Sequence, residues 1–146
     1  MIFTGLKRCL YQRFDSDTER RFAILLEDDS DVLKWIKPAK KELEIYYEND
    51  KVYEPDFIVE TKTGKFLCEP KRASEMTDST VLAKARAAAT WCQHATMATK
   101  DPWTYLLIPH DQITAAMTFR GIIAAHTFQY VDERLNPHAS ASAYTK

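Results

Sequence analysis

Three residues of this chain, Asp56, Glu69 and Lys71, have the types and the spacing to do chemistry together. They fall within residues 52–71, where Val52-Tyr53-Glu54-Pro55-Asp56-Phe57-Ile58-Val59-Glu60 and Phe66-Leu67-Cys68-Glu69-Pro70-Lys71 flank Thr61-Lys62-Thr63-Gly64-Lys65. The flanks are rich in aromatic and β-branched residues and the middle is polar with a glycine, which predicts a β-hairpin. If the chain reverses near Lys62 to Gly64, Asp56 stands as far before the turn as Pro70 stands after it. Antiparallel pairing then sets Asp56 across from the Glu69 to Lys71 end, with paired Cβ atoms about 4.5–5.5 Å apart. Side chains two apart share a face of a strand, so Glu69 and Lys71 point the same way.

Neighbouring carboxylates repel unless one takes a proton or something positive lies between them. Mg²⁺ suits such a gap, because it prefers oxygen ligands and is typically held by one or two carboxylates with water and phosphate oxygens. Lys71 would then be free to face a substrate. A plainer reading stands beside this one: Asp56 ends a turn, and Glu69 and Lys71 form a solvated, salt-bridging strand edge.

The elements that must position these groups follow from the rest of the chain. Ser16-x-x-Glu19 fits a capping box, and Phe22, Leu25 and Leu26 recur at helical spacing as far as Glu27-Asp28-Asp29. Val32, Leu33, Trp35 and Ile36 form an apolar group closed by Pro38, and the basic run Lys37-Pro38-Ala39-Lys40-Lys41 reads as a solvated loop or as a contact to a phosphate backbone. Residues 43–47 alternate enough for a strand, and Glu48-Asn49-Asp50-Lys51 turns into the hairpin, giving three successive strands.

Thr77-Asp78-Ser79 offers N-caps for a helix over residues 80–96, whose Val81, Ala85, Ala88 and Cys92 share a face. Residues 103–108 are a nearly continuous apolar strand, and Pro109-His110-Asp111 marks its exit. A further helix is predicted over residues 113–125, while residues 1–13 suggest a short helix and residues 136–146 a frayed tail. The order helix, three strands, helix, strand, helix predicts an α/β fold with a mixed sheet covered by helices on both faces.

Composition narrows the class. At 146 residues the chain is one domain by size, here residues 1–135, and its formal charge of -1 gives no overall drive toward nucleic acid. No apolar run is long enough to cross a bilayer, and Met1-Ile2-Phe3-Thr4-Gly5 lacks the layout of a secretory signal. Cys9, Cys68 and Cys92 are odd in number and far apart, which argues for a reducing, cytoplasmic setting and against a structural zinc site. There is no Gly-rich phosphate loop of the Walker type, so no ATPase motor is encoded here.

Pro55-Asp56 followed by Glu69-x-Lys71 resembles the signature of the PD-(D/E)xK nuclease superfamily. Four stretches sharpen the likeness: residues 14–23, residues 51–57, Lys84-Ala85-Arg86-Ala87-Ala88 with Trp91-Cys92, and residues 103–111. Together they are similar to the C-terminal nuclease region of the Res subunit of type III restriction enzymes. The resemblance implies a restriction-endonuclease-like αβββαβ core and Mg²⁺-dependent hydrolysis of phosphodiester bonds in double-stranded DNA, with Mn²⁺ able to substitute. It implies that Asp56, Glu69 and the main-chain carbonyl of Pro70 ligate the metal, that Lys71 handles the attacking water, and that Glu19 from the first helix assists at the metal.

As partners it implies a helicase/ATPase region and a modification subunit. One site cuts one strand, so a double-strand break calls for a homodimer or repeated action. Two readings of Glu19 compete, because a capping glutamate turns back to the Ser16 N–H, an effect of about 1 kcal/mol. Pro70 departs from the usual small or β-branched middle residue and predicts a bulge or the end of pairing, since proline donates no ladder bond. The alternative function is a catalytically inactive nuclease-like DNA-binding or assembly module; a third reading leaves the triad as surface charge on an unrelated α/β domain.

Overall fold

A computed structural model describes residues 16–135 of the chain. The short helix expected within residues 1–13 and the tail expected over residues 136–146 lie outside the described residues. The elements run α1 (Asp17–Asp28), β1 (Val32–Ile36), β2 (Ile45–Tyr47), β3 (Lys51–Tyr53), β4 (Phe57–Thr61), β5 (Lys65–Lys71), α2 (Ser79–Thr99), β6 (Trp103–Pro109) and α3 (Phe119–His126). Four strands form a mixed sheet in the order β1-β4-β5-β6, antiparallel except for the parallel pair β5–β6, and β2 with β3 makes a separate two-stranded ribbon. The parallel pair requires a crossover, which α2 supplies.

Two apolar layers sandwich this sheet. On one face Phe22 and Leu26 of α1 and Phe119 and Ile122 of α3 pack against Trp35, Phe57, Val59, Phe66, Cys68, Leu106 and Ile108. On the other, Ala85, Ala88 and Cys92 of α2 and Ile45 and Tyr53 of the ribbon cover Leu67, Tyr105 and Leu107. Alternation along β5 explains the division: Phe66 and Cys68 face α1, whereas Leu67, and two residues later Glu69, face α2.

Local chemistry sets the boundaries. Ser16 caps α1, its Oγ accepting from the Glu19 N–H at 3.2 Å. Asp78 caps α2 through the Thr80 and Val81 amides, and Lys100 ends it in the left-handed conformation with φ 62°. The last helix begins only at Phe119, later than the predicted 113, because Thr118 caps it through the Gly121 amide and Asp29 accepts from the Phe119 N–H at 2.8 Å.

The strand pattern differs from expectation in two places. The predicted single strand over residues 52–60 is broken at Glu54-Pro55-Asp56, so Tyr53 pairs with Ile45 in the ribbon while Phe57 starts β4. Proline without an N–H donor cannot continue a ladder, and the break rotates the chain from one sheet into the other. The third antiparallel strand of the main sheet is therefore β1, not residues 43–47. A register shift between Val32 and Lys34 puts Leu33 and Lys34 both outside, which hides the period-two pattern that would have announced this strand.

The turn near Lys62 to Gly64 is where the sequence places it, with the Thr61 N–H donating to the Gly64 carbonyl at 2.9 Å. Glycine is needed there for space, since a Cβ on Gly64 would lie 2.8 Å from the Pro102 carbonyl oxygen, which already accepts from Lys65 N–H. Among the described residues no helix is long and apolar enough to cross a membrane. Gly64→Ala should cost about 1–3 kcal/mol by forcing β5 away from β6, measured as a lowered denaturation midpoint. Lys62→Ala in the same turn, where the side chain is exposed, should leave the midpoint unchanged; equal midpoints for both variants would show that the contact is not limiting.

Candidate functional site

The β4–β5 register runs Phe57↔Cys68, Ile58↔Leu67, Val59↔Phe66 and Glu60↔Lys65, which brings Asp56 to the level of Glu69. The contact is direct: the Asp56 N–H donates to Glu69 Oε2 at 3.3 Å. Lys71 Nζ lies 3.5 Å from Glu69 Oε1, so the three residues singled out by type and spacing meet at the open end of the hairpin.

Glu69 is only 7% exposed and is held from three directions. Besides the Asp56 amide and Lys71, the Tyr53 hydroxyl donates to Glu69 Oε2 at 2.8 Å and itself lies 2.9 Å from the Tyr105 hydroxyl. Burial pushes the Glu69 carboxyl up from its ordinary range, while the Tyr53 bond and Lys71 pull the other way. Burial also raises the Tyr53 and Tyr105 hydroxyls, with Glu69 adding repulsion, so both stay protonated and able to donate.

Asp56 is in a different position. Its carboxyl is pushed up to about 8, first by burial, then by the charges of Glu69 and Glu19, against which Lys37 and Lys71 act. Among the described residues no hydrogen bond satisfies that carboxylate. A carboxyl with an ordinary pKa near 4 that holds a proton at neutral pH is one whose charged form burial disfavours by more than Lys37 and Lys71 offset.

Glu19 settles between its two readings in an unexpected way. Ser16 Oγ caps its amide, yet Glu19 is only 5% exposed and its side chain turns inward, where Oε1 accepts from Lys37 Nζ at 2.7 Å. In the sequence Lys37 belongs to a basic run that reads as a solvated loop or as a phosphate contact; in the fold it is largely buried and lies 4.7 Å over the Phe57 ring. Residues of α1, the exit of β1, the entry of β4 and the exit of β5 thus converge at one end of the sheet.

Pro70 follows from the direction of the backbone. Lys65 N–H donates toward Pro102, on the β6 side, so alternate residues place Phe66, Cys68 and Pro70 with their main-chain groups toward β4. Pairing with β4 ends at Cys68, and pairing with β6 continues through Pro70↔Ile108 and Lys71↔Pro109. Half of the expectation for Pro70 holds: the ladder stops on one side and runs on unbroken on the other. Proline's missing donor is placed beyond the last residue of β5 that pairs with β4, and its carbonyl points to the same side.

This donor set fits a hard divalent cation. Among the described residues no three His, Cys, Asp or Glu side chains form a ready-made cage. Mg²⁺ does not need one, since it keeps several waters and takes one or two carboxylates. Asp56, whose carboxyl accepts no hydrogen bond among the described residues, Glu69 beside it and the Pro70 carbonyl are oxygen donors of that kind. A cavity of about 580 Å³ between α2 and the segment after α3 holds none of these charged groups. His110 and Asp111 form a short 3₁₀ turn at the end of β6, as the plainer reading of that pair anticipates. No protein-family model matches the chain, and no curated protein is significantly similar to it.

The residues that sequence reasoning missed are Lys37, Tyr53 and Tyr105. Tyr53 stands three before Asp56 and was within reach of a closer reading of the Pro55 break. Tyr105 was not, because its place depends on the parallel register Leu67↔Tyr105.

The Asp56 proton has a consequence for stability. The folded state retains it between about pH 4 and about 8 while the unfolded chain has lost it, so metal-free stability should fall as pH rises through that window, by at most about 1.4 kcal/mol per pH unit. Glu69, also raised, contributes with the same sign. Asp56→Asn should remove most of the slope; chemical denaturation with chelator across that window, giving equal slopes for both proteins, would contradict the assignment.

Proposed function

We propose that this chain is a Mg²⁺-dependent DNA endonuclease domain of the type III restriction class, hydrolysing phosphodiester bonds. The observation that supports it most is the placement of Asp56 beside Glu69 at the open end of the β4–β5 hairpin, with Lys71 on Glu69. The order helix, three antiparallel strands, helix and parallel strand around that hairpin agrees with a restriction-endonuclease-like αβββαβ core once the β2–β3 ribbon is taken as an insertion.

In this reading Asp56, Glu69 and the Pro70 carbonyl hold the cation, and Glu19 stands behind them. The cation, when bound, polarises the phosphate and lowers the pKa of a water. Tyr53 and Tyr105 fix the Glu69 carboxylate by a hydroxyl chain, so it is oriented before any ligand arrives. The Lys71 ammonium, 28% exposed at its side chain, reaches the solvent side of Glu69, where it can orient a water and offset charge developing on the phosphate. Double-stranded DNA is the substrate, with the helicase/ATPase region, the modification subunit and a second copy of the chain as the partners of a complete cytoplasmic system.

Supercoiled plasmid incubated with Mg²⁺ should be nicked by the native chain, and Asp56→Ala and Lys71→Ala should each lower the rate by about 100-fold or more. Equal rates in all three proteins would end the catalytic reading. No nicking by the native chain, together with retained DNA binding, would favour the inactive nuclease-like module.

A further inference from the structure

Three carboxylates, Glu19, Asp56 and Glu69, are gathered at this end of the sheet, and two ammonium groups, Lys37 and Lys71, are set against them. The two lysines are not equivalent. Lys71 sits 3.5 Å from Glu69 on the same strand, with 28% of its side chain exposed. Lys37 comes from a different element, the segment leaving β1, is 16% exposed at its side chain, and bonds Glu19 at 2.7 Å. Of the groups that favour the charged form of Asp56, Lys37 acts more strongly than Lys71. Its position over the ring of Phe57, the residue next to Asp56, accounts for that reach.

A partly buried ion pair is a poor source of net stability, because the desolvation of both partners offsets most of their attraction. Its consequence here is positional. An ammonium is a compact, strongly hydrated point charge, the side chain that most nearly imitates a bound cation. While Lys37 is on Glu19, Oε1 of that carboxylate is occupied by a monovalent charge.

We infer that Lys37 is a built-in counter-ion that competes with the divalent cation for Glu19, so that loading the site exchanges the ammonium for the metal. This rests on the reading of Asp56 and Glu69 as cation ligands. Lys37 is then a positioning residue that keeps three acidic groups together before a cation binds and sets the cation concentration at which Glu19 becomes a ligand. The exchange involves no covalent step: the ammonium leaves one carboxylate oxygen, and the cation takes that oxygen in its place.

Mn²⁺ binding to the full chain, followed by calorimetry and by the loss of its free paramagnetic resonance signal, tests this without reference to catalysis. Lys37→Met should bind Mn²⁺ roughly three- to tenfold more tightly than the native chain, the gain corresponding to an ion pair no longer broken. Lys37→Arg, which keeps the charge and can pair with Glu19, should bind no more tightly than the native chain. In a Glu19→Gln background, Lys37→Met should bring no gain, whereas a merely long-range repulsion of the metal would persist there.

Unchanged or weaker binding by a folded Lys37→Met, a gain equal to it in Lys37→Arg, or a gain retained with Glu19→Gln would overturn the exchange while leaving the cation site itself standing. Absence of Mn²⁺ binding in every variant and in the native chain would overturn both.

Discussion

Two carboxyl groups taken out of water side by side govern this end of the molecule. Glu69 and Asp56 each lose hydration on folding, and the charge of Glu69 adds to the cost of charging Asp56. A protein core would ordinarily exclude such a pair or replace it by apolar residues of similar volume. Here the surroundings are arranged to keep it: a tyrosine hydroxyl and a backbone amide on Glu69, an ammonium on its other oxygen, and a proton on Asp56. In the proposed function a small dication at the same place would displace that proton and offset both charges.

The fold can be understood as the means of enforcing that proximity. Register in the hairpin is fixed by the apolar alternation of β4 and β5, because a one-residue slip would carry Phe57, Val59, Phe66 and Cys68 out of one core layer. The parallel strand β6 then locks β5 along its whole length and brings Tyr105 under the site. Prolines mark both edges of the opening. Pro55 ends one strand just before Asp56, and Pro70 removes a donor where the neighbouring strand has already ended.

Much of this was legible in the sequence, for identifiable reasons. Helices α1 and α2 were announced by Ser16 and Asp78 and by apolar residues at helical spacing, and the hairpin turn by the polar run ending in Gly64. Asp56, Glu69 and Lys71 could be brought together because a hairpin is local, and counting from its turn gives the partner. What escaped depends on non-local pairing. Strand β1 hides its alternation behind a register shift, and the ribbon is separated from β4 by a proline whose effect on direction cannot be counted along the chain. Lys37 escaped for another reason: four positive or neutral neighbours from Pro38 to Lys41 make it look like solvated charge, and only the approach of α1 to the end of β1 supplies Glu19 as its partner.

The central claim is that the space beside Asp56, Glu69 and the Pro70 carbonyl is a divalent-cation site. The most direct measurement is anomalous diffraction from crystals of the chain grown with Mn²⁺. A single strong peak is expected at metal–oxygen bonding distance, about 2.1 Å, from carboxylate oxygens of both Asp56 and Glu69. A saturated crystal with no peak there, or with the ion bound elsewhere and Asp56 still without a partner, would contradict it.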